Sequence, residues 1–198
     1  GTARLAVNPT EHPCVLAAAG AWFQGRIDWL PVDSDGVVTP AALQSSPLFA
    51  KDSKGGAVVV MAANNETGVL QPWPELARLC AAARVPFVCD ASQWLGKLSA
   101  SGLGTAGWVL GAGHKFGGPK GTGFLCLPAQ ADGFKGQLGG SQENDHRAGT
   151  EDLAGSAALA AALAAAEQHQ VMFESSRVLV RTAFEQAVLA AQPEVRVV

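Results

Sequence analysis

The sequence contains no C-x-x-C pair, and its four cysteines, Cys14, Cys80, Cys89 and Cys126, are scattered. That excludes a zinc knuckle and a disulfide scaffold. Most of them sit in apolar runs, which reads as buried, structural free thiols in a reducing compartment, the cytoplasm. Charge is sparse. Only 16% of residues are charged, and 14 Lys+Arg against 17 Asp+Glu leave a net charge of −3. With no basic field, nucleic acid is not an expected partner. Long apolar runs are missing too. The weakly polar stretch 153–166 is too short and too Ala-rich to span a bilayer, so no membrane is expected. The N-terminus lacks a signal-peptide pattern, because Arg4 is followed by a short apolar run and then Asn8-Pro9. The four histidines have no metal-ligand spacing, and no Ser stands in G-x-S-x-G. Residues 102–107 match G-x-G-x-x-G but lead into a strand-like run instead of opening a helix. Residues 117–122 lack the Gly-Lys-Ser/Thr ending of a phosphate loop.

What is present is apolar mass. Hydrophobic residues make up 48% of 198, enough for a sizeable core in one domain or one large piece of a two-domain protein. Strand-like runs alternate with helical stretches, which predicts an α/β fold with a largely parallel sheet. Strands are expected at 4–7, 27–32, 57–62, 85–89, 108–111 and 123–127. Helices are expected at 13–23, with Thr10 or Glu11 near its start, at 40–44 behind Thr39, and from Pro72 to Arg84. The third carries Trp73, Leu76, Ala77 and Cys80 on one side. From Asp152 the chain reads as helical, first Ala-rich and then over 171–191. Leu153, Leu159 and Leu163 suggest close packing there. Residues 195–198 resemble the beginning of a strand. Gly1 opens directly on a strand-like run, so the chain is expected to start inside a larger domain.

Open α/β sheets bind ligands beyond the carboxyl ends of their strands. Four polar clusters follow expected strands: Asn8 to His12, Asn64 to Gly68, Asp90 with Gln93, and Ala112 to Lys115. Parallel strands would bring all four to one rim. Lys115 lies in a Gly-rich stretch, beside His114, where a desolvated amine can attack a carbonyl; taken alone it reads equally as a surface lysine in a flexible loop. Asp90 ends a buried strand, where a carboxylate is costly unless partnered. It would pair with a protonated ring nitrogen or cap the next turn. Gln93 offers a donor one turn on. Asn64-Asn65 reads equally as a turn pair before Gly68. His12 would stack on an aromatic ring or simply start a helix. Lys97 and Lys120 read as solvated.

As an ordered set these residues resemble the cysteine desulfurases, class V aminotransferase-like pyridoxal-phosphate enzymes of fold type I. The resemblance is carried by Thr10-Glu11-His12, Asn64-Asn65-Glu66-Thr67-Gly68, Asp90-Ala91-Ser92-Gln93, Gly113-His114-Lys115 with Gly118-Pro119-Lys120-Gly121, and Arg147-Ala148-Gly149-Thr150. The Asn-Asn-Glu and Arg-x-Gly-Thr forms are closest to the NifS/IscS-like group. The resemblance implies the large domain of that fold, a mainly parallel mixed sheet flanked by helices, over residues 1–192. Residues 193–198 would begin a small domain.

It implies pyridoxal 5'-phosphate as cofactor, with Lys115 as the Schiff-base lysine and His12 stacked on the ring and assisting proton transfer. Asp90 would pair with the ring nitrogen, Asn65 and Gln93 would lie on the ring-oxygen side, and His114 would hold the phosphate. Thr150 would reach the partner subunit's phosphate in a homodimer. The implied substrate is L-cysteine, converted to alanine with sulfur passed to an enzyme thiol, then to an acceptor protein in iron–sulfur cluster assembly. Ala112 replaces a Ser that is common in the family. None of the four cysteines stands at the position of the family's sulfur-accepting Cys. A selenocysteine lyase, an aminotransferase and a non-catalytic fragment of the same fold are the alternative readings.

Overall fold

The computed structural model describes residues 2–131 and 133–197, apart from the side chains at 171, 173 and 174. Six strands form one sheet in the order β2-β1-β3-β4-β5-β6. They are β1 (Arg4–Val7), β2 (Ile27–Trp29), β3 (Gly56–Val59), β4 (Phe87–Asp90), β5 (Trp108–Ala112) and β6 (Gly123–Cys126). The first five run parallel, and β6 pairs antiparallel with β5. The helices are α1 (Pro13–Trp22), α2 (Pro40–Gln44), α3 (Trp73–Ala83) and α4 (Leu153–Ala191). This is the expected α/β architecture.

Alternation along the strands builds two packed faces. Ala6, Val58, Cys89 and Val109 point into the larger core, with Trp73, Leu76 and Cys80 of α3 and Leu43 of α2. Leu5, Val7 and Val59 point the other way, onto Ala19, Val15 and Leu16 of α1. The expected α3 face is buried in full at Trp73, Leu76, Ala77 and Cys80. Arg84 closes α3 in the left-handed conformation (φ 56°), and Val85 N–H returns to the Cys80 carbonyl.

Several boundaries differ from the sequence reading. β2 stops at Trp29, and Val32 makes only an isolated bridge to Val38. β3 begins at Gly56, where φ is +154° and a Cβ would run into the Arg4 carbonyl. Only glycine lets β1 and β3 pair at that point. The two C-terminal helical stretches are one continuous helix, α4, of 39 residues. Leu159, Ala162, Leu163 and Ala166 in its first half pack on the core. Leu153 is 81% exposed, so it does not share that packing. Residues 195–197 form no strand, and Val198 lies outside the described residues. Cys80 and Cys89 are buried as expected, but Cys14 and Cys126 are exposed.

Leu76 is fully buried between α3 and the sheet. Replacing Leu76 with Ala is expected to cost about 2–5 kcal/mol through lost burial and the cavity left behind. Urea unfolding of the two proteins measures this directly.

Candidate active site

The carboxyl ends of β1, β3, β4 and β5 open onto one cavity of about 1240 Å³. His12, Asn65, Asp90, Gln93, His114, Lys115 and Thr150 all line it. The parallel strands bring all of these but Thr150 to one place, and Thr150 arrives from the loop between β6 and α4.

The β1 end is built on Asn8, which is fully buried. Its Oδ1 accepts from Thr10 N–H at 3.1 Å and Thr10 Oγ1 at 2.9 Å, turning the chain sharply. His12 then caps α1, with Nδ1 accepting from Cys14 N–H at 3.3 Å. The cap is His12, with Thr10 and Glu11 just before it, near the helix start as expected. The same Nδ1 lies 3.0 Å from Cys14 Sγ. His12 thus both starts a helix and faces the cavity.

The β3 end separates the paired asparagines. Asn64 is buried and structural. Its Oδ1 accepts from the Glu66 and Thr67 backbone N–H groups at 2.8 and 2.9 Å, and its Nδ2 donates to the Thr10 carbonyl at 2.7 Å. This ties the β3 rim to the β1 rim. Asn65 is left to face the cavity, with Nδ2 donating to Glu66 Oε1 at 2.8 Å.

Asp90 is 7% exposed at the end of β4. Its Oδ1 accepts from Ser92 N–H at 2.9 Å, so it does cap the following turn. Among the described residues, no Lys, Arg or His forms an ion pair with it. A buried carboxylate beside a cavity and without a cation is poised for a cationic ligand atom.

Lys115 sits in a 3-10 turn, Gly113–Lys115, directly after β5. The turn is held by Gly113 N–H to the Thr122 carbonyl and Gly118 N–H to the Gly113 carbonyl. A Cβ on Gly113 would lie 2.7 Å from both Leu159 Cδ1 and Thr122 Oγ1. The glycine is what lets the lysine turn seat against α4. Lys97 also supports this turn. It is half-buried, and its Nζ donates to the Lys115 carbonyl at 3.1 Å. Burial lowers its pKa first, then the charges of Arg177 and Lys115. The reading of Lys97 as merely solvated is therefore corrected.

Glu11 and Cys14 acquire importance only in three dimensions. Glu11 is 4% exposed. Its Oε1 accepts from Met61 N–H at 2.5 Å and Asn8 Nδ2 at 3.2 Å. Burial pushes its pKa up to about 7, the Met61 hydrogen bond opposes this, and the Asp90 charge adds to it. The sequence signal was an acid between a strand end and a helix start, which ordinarily means a solvated first-turn acid. Cys14 lines the cavity and so is not the buried structural thiol expected.

Because the folded state holds the Glu11 proton well above pH 4.5, folding binds a proton between pH 4.5 and about 7. Its contribution to stability is therefore full below the lower value and declines as pH rises to the upper one. Against Glu11→Gln, the native chain is expected to lose about 3 kcal/mol over that window and nothing further above it. Denaturant unfolding at stepped pH values provides the comparison. A second expectation concerns the thiols. Burial holds Cys80 near 12 and pushes Cys89 up as well. Cys14 and Cys126 should consume a thiol reagent in the native chain, while Cys80 and Cys89 react only on unfolding.

The sequence matches the model of the family "Aminotransferase class-V" over residues 3–198. A cysteine desulfurase of Klebsiella pneumoniae is 38% identical over 197 residues, covering 98% of this chain and 48% of that protein. An IscS-like cysteine desulfurase of Mycobacterium tuberculosis is 36% identical over 166 residues, covering 80% and 41%. Among solved structures, DndA from Streptomyces lividans superposes with a TM-score of 0.78 at 26% identity, covering 95% of this chain and 54% of that one. "SspA in complex with cysteine" follows at 0.67 and 25%, covering 85% and 48%. The chain spans about half the length of the curated relatives it matches. With the fold, the rim and the matched length in agreement, the chain belongs to the class V aminotransferase family, whose members depend on pyridoxal phosphate, and within it is similar to the cysteine desulfurases.

Proposed function

We propose that this chain carries the cofactor-binding half of a pyridoxal-phosphate-dependent cysteine desulfurase. The observation that supports this most is the meeting of an amine, a buried unpaired carboxylate, two imidazoles and two amides around one cavity. That donor set fits the cofactor group by group. Asp90 suits a protonated ring nitrogen, Lys115 an aldehyde carbon and His114 a phosphate, with Thr150 reserved for the partner subunit's phosphate in a homodimer. His12, Asn65 and Gln93 supply a ring face and hydrogen bonds at a ring oxygen. Ala112 offers no hydroxyl, so the phosphate would lean on His114 and the backbone of the glycine turn.

When bound, pyridoxal phosphate supplies an electron sink for charge developing on an amino acid. The chain's own residues prepare that chemistry. Lys115 would hold the group covalently through Nζ until an amino substrate displaces it. The lysine turn is braced for this by Lys97 and by the contact of Gly113 with α4. Asp90 would keep the ring nitrogen protonated, its own charge kept in place by Ser92 N–H. His12, fixed at the start of α1, would present its imidazole to the ring and move a proton at the substrate carbon. The proposed overall reaction transfers the sulfur of L-cysteine to a thiol, giving a persulfide and L-alanine. Cys80 and Cys89 are buried and do not serve as that thiol. The homodimer, the acceptor protein and a role in iron–sulfur cluster assembly belong to the same proposal, as does a cytoplasmic location. No helix among the described residues is long and apolar enough to cross a membrane.

The test is the visible absorption of the purified chain after adding pyridoxal phosphate, beside Lys115→Ala. The expected result is a protein-bound band that borohydride fixes on Lys115 and that the variant lacks. Equal bands in both proteins, or trapping on another lysine, would remove Lys115 from its assigned role.

A further inference from the structure

Glu11 is the buried ionisable group on the rim that the proposed chemistry does not use. Its two oxygens are unlike. Oε1 accepts two N–H donors, from Met61 of the β3 rim and from Asn8. Oε2 is buried with no hydrogen-bond partner. A bare carboxylate oxygen in that position is costly, whereas a neutral hydroxyl is far less so. From β4, the ionisable groups facing Glu11 are Asp90 and Cys89. From the β3 rim come the Met61 N–H and, beside it, the uncharged Asn64 side chain. Along its own segment lie His12 and Cys14. Neither Lys nor Arg is among these groups.

We propose that Glu11 is a positioning residue, a proton-bearing strap that fixes the His12 segment to the β3 rim beside Asp90. The strap runs from Met61 N–H through the carboxyl to the residue immediately before His12. The proton sits on Oε2, because Oε1 is already committed as an acceptor. Asp90 Oδ1 already accepts the Ser92 N–H, whereas Glu11 Oε2 has no partner. Burial and the Asp90 charge both favour the neutral form of Glu11 near neutrality. The inference rests on the pyridoxal-phosphate reading only for what binds at Asp90. The strap and its proton belong to the chain alone.

The first experiment needs no cofactor. Carbon-13 NMR of the chain labelled at glutamate and aspartate side-chain carboxyls follows Glu11 and Asp90 with pH. Glu11→Gln and Asp90→Asn assign the two signals. Glu11 is expected to titrate near pH 7, and its midpoint should fall in Asp90→Asn. Titration in the ordinary glutamate range, or no response to Asp90→Asn, overturns the proposal.

The second experiment adds pyridoxal phosphate to the native chain, Glu11→Gln and Glu11→Ala. Gln keeps the oxygen that accepts from Met61 and Asn8, so it should retain cofactor affinity within a few-fold. Ala removes the strap and should weaken affinity tenfold or more. The bound spectrum should change between pH 6 and 8 in the native chain and stay flat in Glu11→Gln. Identical pH responses, or equal affinity in all three proteins, overturn the proposal. No uptake by the native chain would instead count against the cofactor reading, and the carboxyl titration would still decide the role of Glu11.

Discussion

Parallel pairing across β1, β3, β4 and β5 is the constraint on which the rest of the molecule depends. Their registers place Val7 beside Val59, Val59 beside Val88, and Asp90 beside Leu110. Each strand then ends at nearly the same height, and each delivers its next residues to the same edge. An antiparallel arrangement of the same segments would scatter the polar clusters over both ends of the sheet. The parallel arrangement demands burial on both faces, and the chain supplies it unequally. One face is covered by α2, α3 and the first half of α4, while α1 covers part of the other. The cavity opens at the rim between these covers.

The rim is held by a second set of bonds that the strands do not make. Asn64 reaches across to the Thr10 carbonyl, Glu11 reaches across to Met61 N–H, and Lys97 reaches across to the Lys115 carbonyl. Each links a loop after one strand to a loop after another. Such cross-links fix the position of cavity-facing side chains that lie one residue away. Asn65 follows Asn64, His12 follows Glu11, and Lys115 itself carries the third link. Structural and cavity-facing residues thus alternate along the rim. A change at one of the first kind should register as misplacement of the second.

Most of the fold was legible because its signals were local. The apolar β-branched run 57–62, whose strand β3 ends already at Val59, the one-sided spacing of α3 and the Thr39-Pro40 start of α2 each state their own structure. The order of the motifs carried the site in the same way, since parallel strand ends need no long-range information to be grouped. The structure was less legible where tertiary packing decides. α4 continues through the point where composition changes, because nothing between Ala166 and Val171 breaks a helix. Leu153 looked like a core residue, but it lies on the exposed side of the first turn of α4. Cys14 looked like an ordinary apolar position within α1, but it stands in the first turn, which faces the cavity. Glu11 and Lys97 were invisible for one shared reason. Their partners are backbone groups of other strands, and a backbone N–H or carbonyl has no signature in sequence.

The charge arrangement that results is economical. Two carboxyls meet beside the cavity, and low dielectric makes two adjacent anions costly. The geometry resolves this by unequal hydrogen bonding. Asp90 has a backbone N–H on one oxygen and the cavity on its exposed side. Glu11 has two N–H donors on one oxygen and nothing on the other. A proton is best held where an oxygen is otherwise unpartnered, and a charge where a cation can arrive. The strand order places β1 and β4 on opposite sides of β3, so both carboxyls come to the β3 end without sharing a strand. The sheet topology thereby sets two carboxyls with unlike hydrogen-bond partners near each other, before any ligand enters.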